Sequence, residues 1–195
     1  MFFRDIKPKR GNTMKVTLAD AHLPVKMGNR DAELVFGAPL QAQLAATNLG
    51  TVISCDTRKR ASGAAIGVDI ALGLTNGSEA TLRSVASLLE VLSAPCGSSV
   101  RLSEGVGIPM IFGVTEGLEV AIDTPATTTP GARHDLTKTC TGALKDTGVC
   151  RGWDQRQDTT VFYFYGESYA DMRERLTRAL SATTEFCDAT IQRMA

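Results

Sequence analysis

The sequence predicts an α+β protein made of two consecutive units that each follow the order β, α, β, β, α, β. Around residue 50 the chain reads G-T-V-I-S-C-D-T-R and around residue 148 it reads G-V-C-R-G-W-D-Q-R, with Gly, Asp and Arg in matching register. Each copy continues through an apolar strand, a capped amphipathic helix and a final strand led by cysteine. Such self-similarity is typical of a duplicated architecture, although two βαββαβ units also look alike by periodicity alone. The element order is that of the ferredoxin-like fold, an antiparallel sheet with two helices on one face.

The first copy is predicted from periodicities between residues 33 and 103. The run V-D-I-A-L-G-L alternates large and small residues, which is typical of a strand with one buried face. Pro39 favours a helix start. Ser78 lies where a helix N-cap belongs, and apolar residues then recur every three or four positions up to Leu92. We therefore expect strand 33–36, helix 40–47, strands 51–58 and 68–74, helix 78–92 and strand 99–103, preceded by a short N-terminal strand at 15–19.

The second copy follows the same order. Leu118, Val120 and Ile122 alternate along a strand, and Asp135 is placed to cap a helix that runs to about residue 145. Ser168 predicts the start of the last helix. The strand T-T-V-F-Y-F-Y-G is apolar on both faces, so we expect both to be covered. The other expected elements are a hairpin of 148–157 with 159–165, a last strand at 187–194, an extra hairpin strand at 110–113 and a Thr/Pro loop at 125–131.

These elements divide the chain into four parts. Residues 1–13 are basic and contain Pro and Gly, which predicts a flexible tail, or an over-extended start with Met14 as the natural beginning. We expect residues 14–103 to form the first ferredoxin-like half, residues 104–117 a connecting hairpin, and residues 118–195 the second half.

The composition argues against several classes of function. Lys plus Arg and Asp plus Glu number 21 each, so no overall field draws the protein to nucleic acid or to an anionic membrane. No apolar run reaches the roughly 18 residues that a membrane span needs, and the first residues lack the apolar core of a secretory signal. We therefore expect a cytoplasmic protein with neither nucleic-acid nor membrane partners.

Motifs for metals and cofactors are missing from the sequence. His22 and His134 are the two histidines, far apart, and the five cysteines form no C-x-x-C pair. The sequence has neither a phosphate-binding glycine loop nor a nucleophile elbow. We interpret the cysteines as small buried hydrophobes, the alternative being a reactive thiol beside a basic neighbour. The expectation is no metal, no cofactor and no catalytic residue.

The polar pattern that recurs in both copies is Asp-x-Arg, which places an acid and a base on the same face of a strand. One interpretation is a pair of pseudo-symmetric polar sites, one of them lined by Trp153 and Glu116. The other is a set of cross-strand ion pairs on a solvated sheet surface, which stabilise little. The candidate ligand-binding residues are Asp56, Arg58, Glu116, Trp153, Asp154 and Arg156.

Three stretches stand out as a set: I-P-M-I-F-G-V-T-E-G-L-E-V-A-I-D, G-V-C-R-G-W-D-Q and T-T-V-F-Y-F-Y-G-E-S-Y-A-D-M-R-E-R-L. Over about residues 48–195 they resemble an uncharacterised family of small bacterial α+β proteins. Gly113, Gly117 and Gly166 lie at turns of these stretches, so the resemblance transfers structural positions and no catalytic residue. Small cytoplasmic bacterial proteins of this size include toxin-neutralising immunity proteins, and that association implies a protein partner.

Two functional hypotheses follow. The first is a non-enzymatic binding protein, of immunity or regulatory type, that presents a surface to a protein partner and is itself a monomer or weak homodimer. The second is a small-molecule-binding protein or cofactor-independent enzyme of the α+β-barrel type, with a cavity between its two sheets. An enclosed pocket with convergent polar groups would favour the second hypothesis. An exposed apolar or charged patch would favour the first.

Overall fold

The structure, a computed structural model, describes residues 16–104, 107–123 and 129–194. The strands of the first unit pair antiparallel in the order 2-3-1-4-5 along the chain, and the first four have the ferredoxin-like order with strands 1 and 3 in the centre. Its elements are β1 (Thr17–Leu23), a long helix α1 in three segments (Asn29–Ala32, Glu33–Gly37 and Ala38–Ala46), β2 (Gly50–Lys59), β3 (Ala65–Leu74), α2 (Glu79–Val91), β4 (Ser98–Leu102) and β5 (Met110–Phe112).

The second unit repeats this arrangement. Its elements are β6 (Glu116–Asp123), α3 (Pro130–Leu144), β7 (Gly148–Gln155), β8 (Thr159–Gly166), α4 (Tyr169–Ser181) and β9 (Thr190–Arg193). The four strands pair antiparallel in the order β7-β8-β6-β9, which matches β2-β3-β1-β4 of the first unit. The predicted fold class of two tandem ferredoxin-like halves is confirmed.

The first strand and first helix of the first unit differ from the prediction. The short N-terminal strand is β1, and it lies in the sheet between β3 and β4. Residues 33–36, predicted as a strand, belong instead to α1, where Glu33–Gly37 is a π-helical turn. Pro39 follows this turn inside the helix. Because proline has no N–H to donate to a preceding carbonyl, the wider turn lets the helix continue through a residue that the prediction took as its start.

Two boundaries in the second unit also differ. Helix α3 begins at Pro130 and its cap is Thr129 and not Asp135, six residues later, because the Thr129 hydroxyl accepts a hydrogen bond of 3.1 Å from the Ala132 N–H. The last strand is shorter than 187–194, since a 3-10 turn at Thr184–Phe186 precedes β9. The predicted tail at 1–13, and residues 125–128 of the predicted Thr/Pro loop, lie outside the described residues.

Each sheet buries one face under its own two helices. In the first unit Leu72 of β3 packs in one core with Leu44 of α1 and Leu89 of α2. In the second unit Phe162 and Phe164 of β8 are fully buried beneath α3 and α4. Burying one such side chain contributes about 1.5–3 kcal/mol, so these faces account for the stability of each unit.

The other face of the second sheet lies against the first unit, so β8 is covered on both sides as predicted. Val161, Tyr163 and Tyr165 on this face are buried in the core of the first unit. The contact is made by the loop between β1 and α1, where the Lys26 N–H donates a hydrogen bond of 2.9 Å to the Tyr165 hydroxyl. A Cβ on Gly152 would lie 3.0 Å from the Lys26 carbonyl oxygen, so the two backbones approach closely. The second sheet therefore packs against one end of the first unit and not against the first sheet.

The corresponding face of the first sheet is uncovered within the described part of the chain, and we call it the open face. It is the side away from α1 and α2. Strand pairing places these open-face side chains in rows across β2, β3, β1, β4 and β5. The side chains on the open face include those of Val16, Leu18, Asp20, His22, Ile53, Ser54, Asp56, Arg58, Asp69, Ala71, Ser99, Arg101 and Ile111.

Candidate functional site

One end of the open face carries a connected group of charged side chains. Arg58 donates to both carboxylate oxygens of Asp69, at 2.8 Å from Nε and 3.0 Å from Nη2. His22 Nδ1 lies 2.7 Å from the same carboxylate, at Oδ1. The Asp-x-Arg motif therefore pairs Arg58 with the neighbouring strand and not with Asp56. Two-pronged Arg–carboxylate pairs are well-defined in geometry, but these side chains are half exposed and contribute little to stability.

Three more charged groups surround a hollow in the same face. The side chains of Asp20, Asp56 and Arg101 make no hydrogen bond or ion pair with any residue that the structure describes. Small side chains, Ser54 and Ala71 among them, line the hollow, and its volume is about 340 Å³. Charged groups of both signs thus lie at the surface without a side-chain partner among the described residues.

The other end of the open face is apolar. The exposed fractions of Val16, Leu18 and Ile53 lie between 46% and 57%. Ile111 is also exposed, but strand pairing places it in the row of Ser99 and His22, at the charged end. A Cβ added at Gly73 would contact side-chain carbons of Val16 and Ile53, so these apolar residues adjoin one another across the sheet. Single exposed apolar residues are ordinary on protein surfaces, but adjoining ones that border a polar rim mark interaction sites.

The second copy of the Asp-x-Arg motif lies in a different environment. Arg156 Nη2 lies 3.1 Å from Glu119 Oε2, and Lys26 of the first unit lies 3.7 Å from the same atom. The Lys26 ammonium also lies 4.6 Å from the centre of the Tyr163 ring. Burial lowers the pKa of Lys26, against the opposing attraction of Glu119, and burial raises the pKa of Tyr163. The duplicated motif therefore joins the two units here, whereas in the first unit it faces solvent.

The Glu116 side chain connects elements within the second unit. One carboxylate oxygen accepts a hydrogen bond of 2.5 Å from the Tyr169 N–H in the first turn of α4. The other oxygen is paired with the Arg193 guanidinium of β9. The side chain thus satisfies a free N–H at a helix start and links the first strand of the unit to its last.

Trp153 lines a cleft of about 590 Å³ between the two units, which we call the inter-unit cleft. Its ring lies 5.0 Å from the Arg133 guanidinium carbon, and 52% of the residue is exposed. Arg151 and His134 line the same cleft, and Asp31 of α1 faces them from the first unit. Burial lowers the pKa of Arg151. The Arg151 guanidinium forms no hydrogen bond or ion pair with the described residues.

The six candidate residues are therefore distributed over separate places. Asp56 and Arg58 lie on the open face, Trp153 lies in the inter-unit cleft, and Arg156 lies at the contact between units. Asp154, also on β7, is half-buried and forms no ion pair with the described residues. Sequence reasoning missed His22, Asp69, Asp20 and Arg101 on the open face, and Arg133 and Arg151 in the cleft.

Burial raises the pKa of three of the five cysteine thiols. Burial, with the nearby carboxylates Glu33 and Asp56, raises the pKa of Cys55 to about 11, and burial raises that of Cys140 to about 12. The pKa of Cys150 is raised by the same cause. These thiols are protonated at neutral pH, which disfavours a nucleophilic role. Among the residues that the structure describes, no group of three or more His, Cys, Asp or Glu side chains could hold a metal ion.

Comparisons with models of known protein families give no match, and comparisons with curated proteins give none. Solved structures that match include chlorite dismutase from Candidatus Nitrospira defluvii in complex with imidazole, at 14% sequence identity and a TM-score of 0.28, covering 93% of this chain and 92% of that chain. An anthrone oxidase-like protein matches at 9% identity and a TM-score of 0.28, covering 92% and 89%. None of the described helices is long and apolar enough to cross a membrane.

Proposed function

We propose that this chain is a non-enzymatic, cytoplasmic binding protein that engages a protein partner through the open face of its first sheet. The observation that carries the proposal is the contrast between the two units. The second sheet has both faces covered, whereas the first sheet exposes a face with an apolar end and a charged end. When another protein surface lies against such a face, its apolar side chains are removed from water, which favours binding.

The chemistry of the open face supports a partner of a particular kind. Ile53 and Leu18 favour a partner surface with an apolar centre, because desolvation of such side chains drives association. Asp20, Asp56 and Arg101 favour charged groups of both signs beside that centre, since each lacks an internal partner among the described residues. The partner is therefore a folded protein surface of mixed charge, and a nucleic acid, which presents negative charge throughout, does not fit it.

The hollow of about 340 Å³ in this face fits a protruding side chain of the partner. It is formed by residues of the first unit alone and is open to solvent, unlike the enclosed cavity that a barrel-type enzyme requires. We infer that the chain is a monomer, or a weak homodimer, until the partner binds.

Site-specific photo-crosslinking tests the proposal. A photoreactive amino acid placed at Ile53 in the open face, or at Val91 on the exposed side of α2 as the control, is expressed in cells of the source organism. We expect one stoichiometric protein adduct from Ile53 and none from Val91, which is 74% exposed. Arg101→Glu should reduce the adduct severalfold, and the matched Arg83→Glu on α2 should leave it unchanged.

Equal labelling from both positions, or no adduct from Ile53, would overturn the proposal. An adduct with a second copy of this chain would mean that the open face forms a homodimer, and would overturn the proposal of a different protein as partner. A small molecule that co-purifies in native mass spectrometry and leaves when Asp56 is replaced by Asn would instead support the small-molecule-binding alternative at the hollow.

A further inference from the structure

We propose that the inter-unit cleft is a second binding site, for a small organic anion with a planar apolar part, in which Trp153 contacts the planar part and Arg151 binds the anionic group. This site is separate from the open face and does not depend on the function proposed there. Its volume of about 590 Å³ is in the range of small-molecule sites.

The indole supplies the apolar surface. Trp153 is the single tryptophan of the chain and lies on β7, at the edge of the second sheet. With 52% of the residue exposed, it leaves a large aromatic surface open to the cleft, where Met27 and Val35 of the first unit add aliphatic carbon. Aromatic side chains favour flat ligands, because offset stacking adds to the gain from burying their area.

Charged side chains also line the cleft. The Arg133 guanidinium carbon lies 5.0 Å from the centre of the Trp153 ring, and Arg151 and His134 of the second unit are further lining residues. The carboxylate that faces them is Asp31, on the exposed first turn of α1. Arg133 has interactions of its own, so the anionic group is assigned to Arg151, whose positive charge favours an anion.

Arg151 is the specific element of the site. Strand β7 has a register shift between Cys150 and Gly152, which makes Arg151 the extra residue of a bulge against β8. Bulges re-aim side chains and recur beside binding sites. The guanidinium has lost water to burial without gaining a hydrogen bond or ion pair from the described residues. A carboxylate or sulfonate would supply the missing partner through two parallel hydrogen bonds.

The single tryptophan makes the site measurable without a label. In the nitrogen-15-labelled chain, the one indole N–H resonance belongs to Trp153. We would titrate it with three probes that share one ring system, namely 2-naphthoate, 2-naphthylmethanol and 2-naphthylmethylammonium. A saturable shift with naphthoate, and an affinity about tenfold weaker for the alcohol, is expected from the loss of one charge-assisted pair. The ammonium probe should bind most weakly.

Variants then assign the anion to Arg151. Arg151→Gln should weaken naphthoate binding about tenfold and leave the alcohol unchanged, Arg151→Lys should recover part of the loss, and Arg83→Gln on α2 serves as the matched control. Backbone amide spectra of each variant show that it is folded. The proposal is overturned if the three probes bind equally, if Arg151→Gln and Arg83→Gln behave alike, or if naphthoate causes no saturable shift at millimolar concentration.

Discussion

Replacing Tyr165 by Phe tests how the two units are held together. The hydroxyl accepts a hydrogen bond of 2.9 Å from the Lys26 N–H and donates a longer one of 3.4 Å to the Pro24 carbonyl. Tyr165 packs in the core of the first unit, and 4% of the residue is exposed. Removing one good hydrogen bond costs about 1 kcal/mol, and leaving a dry N–H without an acceptor raises the cost to about 1–3 kcal/mol. The Lys26 backbone is only partly buried, so we expect a loss of about 1–2 kcal/mol.

Two measurements report this loss. Urea unfolding gives the change in the free energy of unfolding, and hydrogen exchange of the Lys26 amide reports on the contact itself. Tyr169→Phe is the matched control, since the Tyr169 hydroxyl makes no hydrogen bond with the described residues, and it should stay within about 0.5 kcal/mol of the wild type. The reasoning is refuted if the two variants are equally stable, or if exchange at Lys26 is unchanged in Tyr165→Phe.

Three further outcomes follow from the packing. Stability should fall as the pH rises above about 9, because Cys55 and Cys140 keep their protons in the folded state up to about 11 and about 12 while the unfolded thiols ionise near 9.0. At about pH 10.5 Cys140 lowers the free energy of unfolding by an amount on the order of 2 kcal/mol. The lowered pKa of Lys26 partly offsets this loss, and urea unfolding at about pH 9 and about pH 10.5 measures the difference. Gly113→Ala should cost more than about 3 kcal/mol, since the glycine has a φ of +124° and a Cβ there would lie 2.0 Å from a carbonyl oxygen; a small shift of the melting temperature would contradict this. Gly142→Ala, on α3 with nothing within 4 Å of the added Cβ, should instead stabilise by about 0.5–1 kcal/mol, and a destabilised variant would contradict it.

Much of the fold was predictable because its signals are local. The Ser78 and Ser168 hydroxyls cap their helices as expected, accepting from the N–H groups of Thr81 and Asp171. The full burial of Thr160–Gly166 also follows from apolar residues on both faces of one strand. The error at residues 33–36 arose because apolar residues favour a strand locally, while in the chain they cover the sheet as part of α1. Tertiary packing decided against local propensity there.

The functional surfaces were less predictable because they depend on register between strands far apart in sequence. His22 and Asp69 are opposite each other only through the pairing of β1 with β3. The prediction ended the N-terminal strand at Ala19, so His22 was assigned to a loop. Arg151 gave no sequence signal, because the bulge that places it appears only when β7 pairs with β8. Trp153 was selected as the aromatic residue that would line a polar site with Glu116, and the structure places its ring at the inter-unit cleft instead.

The covering of the second sheet has a consequence for the order of biosynthesis. Val161, Tyr163 and Tyr165 are shielded by a loop that is translated more than a hundred residues earlier. Domains tend to fold as they emerge from the ribosome, N-terminal first, so the first unit is in place when β8 is made. A truncated chain that begins at Glu116 would expose those three side chains on a bare sheet and aggregate, whereas the first unit leaves its own uncovered sheet face free from the moment it folds.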